Sequence, residues 1–278
     1  TQQPHAVMTM LREKGPLTMC VQNYVAMDFS ANVLLAAGAS PAMVDANEEC
    51  DPFTMISSAL SLNVGTALSP HWIQAMLLSA DAANKYKKPW SLDPVGCGAT
   101  PHRNAVCAQV MEKRPTVVRG NASEIMALAS VCKLVVSEGT QSGGGKGVDS
   151  TNGSDEAIPA AIALAKHYGC IVAVSGAVDV ITDGSVKVLV HNGQEMLTKI
   201  TGAGCSLSAL CAAYCAVSQL PLDGVVAAFV HFTVASDLAA AMPEVKGPGT
   251  LRTHLLDQLY LVTPELLAQH MKIEIVSM

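Results

Sequence analysis

The sequence predicts an α/β fold in which a mostly parallel central sheet carries helices on both faces. Three observations predict it. Short β-rich runs alternate with helix-like windows along nearly the whole chain. The chain is 50% hydrophobic and only 14% charged, which suits strands buried on both faces and surfaces covered by helices or other subunits. No fixed-period repeat and no shift in composition divides it, so residues 1–278 read as a single domain.

The elements follow in order. Leu17–Gln22 reads as the first strand and Met27–Ala37 as a helix, followed by strands at Ala42–Ala46 and Ala59–Val64 and a helix over His71–Tyr86. Trp90–Asp93 and Thr116–Arg119 are short apolar strands separated by a helical window at Arg103–Glu112. Glu124–Ala129 and Asp155–Tyr168 read as helices on either side of the glycine-rich stretch at 139–147, which reads as a flexible loop. Cys170–Ser175 is the next strand. Val180–Thr182 and Val186–His191 flank Asp183-Gly184, a tight hairpin signal, so one antiparallel excursion interrupts the parallel pattern. Cys205–Ser218, Leu222–Ala241 and Leu251–His270 read as closing helices.

The formal net charge of −6, with 17 Lys and Arg that nowhere cluster, argues against a nucleic-acid binder. Every long apolar stretch is broken by Gly, Ser or Pro before the ~20 residues of a membrane span, so no membrane partner is expected. The nine cysteines show no C-x-x-C pair and no partnering His spacing. They read as reduced thiols in a cytoplasmic compartment.

No P-loop and no dinucleotide fingerprint is present, so a phosphate site must be of another design. The strongest candidate is Thr201-Gly-Ala-Gly-Cys205, where Gly202, Ala203 and Gly204 precede a run of helix formers. Free backbone N–H groups at a helix N-terminus, with small side chains in front of them, make an anion hole. Cys205 falls in the first turn, where a helix N-terminus stabilises a thiolate; Cys211 and Cys215, further along, read as core.

Asp93 ends an apolar run and precedes a Pro-Val-Gly turn. The carboxyl ends of parallel strands are where α/β sheets build their sites, so Asp93 is placed to organise a metal ion and its water. Asn121-Ala-Ser-Glu124 follows another apolar run. By spacing alone it is a capping box, with Asn in the Ser/Thr place; its Glu is also a second hard oxygen donor at a neighbouring strand end.

Seven short motifs fall in one order over nearly the whole chain: Asn23-Tyr24-Val25, Gly38-Ala-Ser-Pro-Ala-Met43, Leu92-Asp-Pro-Val-Gly96, Arg119-Gly-Asn-Ala-Ser-Glu124, Gly147-Val-Asp149, Val174-Ser-Gly176 and Thr201-Gly-Ala-Gly-Cys205. Each is weak alone, and the ordered set closely resembles the hydroxyethylthiazole kinases of thiamin salvage, in the ribokinase-like superfamily. The resemblance implies a ribokinase-like three-layer sandwich and ATP-dependent phosphorylation of the primary alcohol of 5-(2-hydroxyethyl)-4-methylthiazole. It also implies a homotrimer with active sites at subunit interfaces, where Asn23, Val25 and Met43 help enclose the thiazole.

By the same resemblance Arg119, Asn121 and Ser175 face ATP phosphates, Gly202 lies near the substrate alcohol, and Asp93 and Glu124 organise Mg²⁺. Cys205, with Gly202, Ala203 and Gly204, is the catalytic corner. Ser175 stands where many relatives carry Thr, and Ala177 where many carry Glu. A hydroxymethylpyrimidine kinase of the same superfamily is the alternative enzyme. A sensor that binds nucleotide or thiazole without transfer is the alternative from another class.

Overall fold

A computed structural model describes residues 2–65, 69–136 and 153–277. The glycine-rich stretch at 139–147 and the Gly147-Val-Asp149 motif lie outside the described residues.

Among the described residues, eleven α-helices and nine strands follow one another: α1 Pro4–Lys14, β1 Leu17–Val21, α2 Met27–Ala37, β2 Ser40–Met43, α3 Asn47–Ile56, β3 Ala59–Asn63, α4 Pro70–Lys85, β4 Trp90–Asp93, α5 Pro101–Met111, β5 Val117–Asn121, α6 Ala122–Val131, α7 Ile158–Tyr168, β6 Ile171–Ser175, β7 Asp179–Thr182, β8 Val186–Val190, α8 Ala203–Cys215, α9 Pro221–Ala240, α10 Pro248–Leu261, α11 Pro264–His270 and β9 Ile273–Ser277. The strands form one sheet in the order β2-β1-β3-β4-β5-β6-β7-β8-β9. Pairing is parallel from β2 through β6 and antiparallel from β6 through β9.

The sheet is covered on both faces. One core joins α1, α2, α8, α9 and α10 to side chains such as Cys20, Ala173 and Ile181. The other joins α4, α5, α6 and α7 to Met19, Leu60, Leu92, Val118 and Val172. Alternate residues of a strand point to opposite faces, which is why Met19 and Cys20 enter different cores. Burial on both faces explains the apolar runs of β3 and β4, whose residues are all buried.

Several sequence expectations need correction. The second strand is Ser40–Met43, because its backbone pairs with β1 from Leu17↔Ser40 to Cys20↔Met43 and the chain then leaves for α3. The closing window is two helices, since Pro264 starts a new one behind the Thr263 cap. Three elements without a strong pattern went unread: α1, α3 with its internal Pro52, and the exposed edge strand β9. α9, at 20 residues, does have the length and apolarity of a membrane span, contrary to the expectation from composition. Its span is 83% buried within the fold, against the sheet and the neighbouring helices.

Candidate active site

The parallel strands set polar residues side by side at their C-terminal ends. Asn63 closes β3 and Asp93 closes β4, and the two are register partners. Asn121 closes β5 opposite Ser175, which closes β6. Asn23 follows β1 by two residues. Above this row α8 begins at Ala203, behind Gly202, whose φ of +85° lies in the left-handed region that glycine tolerates.

One chain of hydrogen bonds runs along the row. Asn23 Oδ1 accepts the Ala26 amide at 3.1 Å, while its Nδ2 donates to Asn63 Oδ1 at 2.7 Å and to Cys205 Sγ at 3.6 Å. Asn63 Nδ2 donates to Asp93 Oδ2 at 2.9 Å, and Ser208 Oγ, one turn into α8, donates to the same oxygen at 2.9 Å. Asp93 Oδ1 is buried and has no protein partner. Burial raises the Asp93 carboxyl above the ordinary Asp range, opposed by the positive charge of Arg119.

Glu124 works at two places. The capping box is present: Asn121 Oδ1 accepts the Glu124 amide at 2.9 Å, and Glu124 Oε2 accepts the Asn121 amide at 2.9 Å. Its other oxygen, Oε1, accepts the Gly96 amide at 2.8 Å, tying α6 to the turn after β4. Burial and, next, the nearby Asp93 push the Glu124 carboxyl up to about 7. The Asn-x-x-Glu signature is therefore a cap and also a brace on the strand end that carries Asp93.

Arg119 projects from β5 and donates through Nε and Nη2 to Ser175 Oγ at 3.0 and 2.6 Å. Its guanidinium lies against the first turn of α8, at Gly204. Beyond it the Gly176 amide donates to Asp179 Oδ1 at 3.0 Å, and burial raises the Asp179 carboxyl to about 7.

Cys205 does lie in the first turn of α8, but the expected thiolate does not hold. Burial, and then the charge of Asp93, push its thiol up to about 12. The helix N-terminus does not outweigh these, because desolvation acts on the whole charge while the dipole offers a fraction of one. Cys211 and Cys215 are buried core residues, as their positions suggested.

Of the residues expected near the thiazole, Asn23 is buried in the network. Val25 is 58% exposed and Met43 half-buried at the end of the edge strand β2. Within one chain these do not close a pocket around Cys205. Tyr24, also exposed, leans on Trp72 with ring centroids 5.0 Å apart.

Four participants were not read from the sequence. Asn63 and Ser208 hold Asp93, and Asp179 holds the turn at Gly176. Arg103, from α5, donates through Nη1 to the carbonyls of Val64, Gly65 and Val95, just beyond the ends of β3 and β4. The one available signal was that Asn63, like Asp93, is a polar residue closing an apolar run.

The strand ends offer oxygen atoms that suit a divalent cation. Asp93 fits, because it offers a buried oxygen without a partner. Glu124 fits through water or a lone pair left over, since each of its oxygens already accepts a backbone N–H. Among the described residues no group of three or more His, Cys, Asp or Glu converges on one point, so most of the coordination shell must come from phosphate oxygens and water. Carboxylates, an Arg fork and a helix N-terminus around one space suit transfer of a phosphoryl group.

Comparison with known proteins gives a consistent result. A family model described as the hydroxyethylthiazole kinase family matches residues 8–265. A hydroxyethylthiazole kinase of Clavibacter sepedonicus is 46% identical over 265 residues, covering 95% of this chain and 91% of that protein. One from Arabidopsis thaliana is 44% identical, covering 92% and 88%. Among solved structures, a hydroxyethylthiazole kinase from Pyrococcus horikoshii OT3 superposes with a TM-score of 0.88 at 34% identity, covering 99% of each chain. A pyridoxal kinase from Staphylococcus aureus in complex with ADP, with a TM-score of 0.63 at 16% identity over 94% of this chain and 98% of that one, shares the fold.

Proposed function

The chain belongs to the hydroxyethylthiazole kinase family, and from that premise we propose that it phosphorylates the primary alcohol of 5-(2-hydroxyethyl)-4-methylthiazole with ATP as donor. The observation that carries the reading within the fold is the convergence of Asp93, Arg119 and Cys205 on the N-terminus of α8.

Each residue then has a part set by its chemistry. Arg119, held by Ser175, offers its remaining N–H groups to phosphate oxygens. The first-turn amides of α8 face the charge that develops on the transferred group. Cys205 keeps its proton at neutral pH, so it orients the alcohol through Sγ and does not act as a strong base. Little base strength is required, because in a loose transition state the hydroxyl proton departs late. Mg²⁺, held by Asp93 and through water by Glu124, would supply positive charge to the phosphates when bound.

The family's expected homotrimer is part of the proposal. Exposed Tyr24 and Val25, with half-buried Met43 at a sheet edge, support a thiazole pocket completed by a neighbouring subunit. All nine cysteines are free thiols, which supports the expected cytoplasmic setting.

The test is ADP formation from Mg·ATP with hydroxyethylthiazole, with hydroxymethylpyrimidine and with no alcohol, the phosphorylated product being identified by mass. Product with the thiazole alone is the expected outcome. Product with the pyrimidine alone would overturn the substrate assignment, and binding without product would favour a sensor. Sedimentation at working concentration checks the trimer.

A further inference from the structure

We propose that Asn63 is a positioning residue of the transfer, fixing with one amide both the rotation of the Asp93 carboxylate and the orientation of the Asn23 side chain that faces Cys205. This inference rests on the kinase reading above.

The two ends of the Asn63 amide face unlike partners. Its Oδ1 meets Asn23 Nδ2, which can only donate, at 2.7 Å, and its Nδ2 meets Asp93 Oδ2, an acceptor, at 2.9 Å. The Asn23 amide is itself fixed, because its Oδ1 accepts the Ala26 amide. The Asn63 amide therefore has one allowed orientation. Asn63 is 1% exposed, so water does not substitute for either bond.

The effect on Asp93 is asymmetric. Both protein donors, Asn63 Nδ2 and Ser208 Oγ, converge on Oδ2. A half-turn of the carboxyl is a symmetric exchange of oxygens, but any intermediate angle loses both bonds. Oδ1 is thereby held in one direction, on a carboxyl that also feels the positive charge of Arg119 and a side-chain hydrogen bond from Cys205. Ser208 Oγ reaches Asp93 and the Gly204 carbonyl of its own helix, whereas Asn63 holds Asp93 on one side and Asn23 on the other. The two residues should therefore separate kinetically.

The experiment compares Asn63→Ala and Ser208→Ala with the parent in the full chain, measuring kcat, both KM values, melting temperature and the affinity of Mn²⁺ for the ADP complex by electron paramagnetic resonance. Loss of positioning should lower kcat by about 100-fold in Asn63→Ala and by about 10-fold in Ser208→Ala, the latter keeping one donor on Oδ2. The KM for the alcohol should rise in Asn63→Ala and stay at the parent value in Ser208→Ala, while Mn²⁺ affinity weakens in both.

An Asn63→Ala protein with parental kcat and alcohol KM overturns the proposal, and so does unchanged Mn²⁺ affinity. A kcat loss that merely tracks the unfolded fraction overturns it as well. Should Asn63→Ala fail to fold, Asn63→Leu, which keeps the shape but neither donates to Asp93 nor accepts from Asn23, takes its place with the same expected losses. A parent that transfers nothing to the thiazole overturns the kinase reading instead, and the Mn²⁺ titration still decides whether Asn63 orders Asp93.

Discussion

The Arg119 guanidinium occupies the space that a side chain on Gly204 would need: a methyl group at position 204 would stand 2.4 Å from Arg119 Nη1. Glycine inside a helix is ordinarily a weakness of about 1 kcal/mol relative to alanine. Here it lets a cation lie directly on the first turn of α8. Gly204→Ala should therefore keep or raise the melting temperature while displacing the guanidinium, lowering kcat/KM for ATP by about 100-fold. Arg119→Lys should lose a similar amount, and the double variant little more than either, because both changes remove one feature. Additive losses would show that the two residues act separately.

Cys205 gives a prediction about pH. Its thiol is raised to about 12 from an ordinary value near 9.0, so it holds its proton between about pH 6 and pH 9. The parent should show no kinetic inflection from this group in that range, and iodoacetamide should modify it slowly. Cys205→Ala, which leaves Asn23 Nδ2 without its sulfur acceptor, should lose about 100-fold in kcat. Cys205→Asp restores an acceptor at the same helix N-terminus and should stay within about tenfold of the parent, now with a rate that falls in acid. A fully active alanine variant would end the assignment.

The central strands and the glycine turn that opens α8 were legible because their signals are local. β4 ends in Asp93, β5 in Asn121, and Gly202 and Gly204 sit directly before helix formers. The thiol's protonation state was not legible, since it depends on burial and on Asp93, which is 112 residues away in sequence and adjacent in space. Asn63 and Ser208 escaped for the same reason: each is one polar residue in an apolar element, and only the strand register and the seat of α8 bring them to one carboxylate. β9 escaped because an edge strand that is exposed on most positions has no hydrophobic alternation to read.

Asp179 makes stability depend on pH in an unusual direction. Its folded carboxyl is raised from 3.8 to about 7, so the folded state binds the proton more tightly than the unfolded chain. The corresponding stability is full below the unfolded value and is lost as pH rises through about 7. Buried His231 acts oppositely, since burial lowers its imidazole to about 3 and its contribution is lost in acid. A difference between two proteins cancels the histidine. Asp179→Asn keeps an acceptor for the Gly176 amide without the charge, so it should exceed the parent by on the order of 3 kcal/mol at pH 8.5. That margin should shrink steadily toward pH 4, as urea unfolding midpoints across the range will report. A margin independent of pH would mean that Asp179 titrates normally.

Arg103 should couple stability to turnover. Its backbone amide is held by Thr100 Oγ1 at 3.2 Å, and its Nη1 reaches the carbonyls of Val64, Gly65 and Val95. Those carbonyls belong to the turns that follow β3 and β4. Gly96, next along, has φ +70° and lies against the Arg103 side chain, and its amide holds Glu124. Replacing the guanidinium by a side chain of similar length without charge leaves several acceptors without a donor. Arg103→Met should therefore cost about 2–4 kcal/mol in urea unfolding. Arg103→Lys should recover part of this, since all three carbonyls are reached from the one nitrogen Nη1 and an ammonium is also a point donor, though on a more flexible stem without the rigid guanidinium plane. In both variants the folded fraction should also turn over slowly, because the strand ends that present Asn63, Asp93 and the Gly96 amide are no longer pinned together. Normal kcat in a destabilised Arg103→Met would separate the two effects and confine Arg103 to the scaffold.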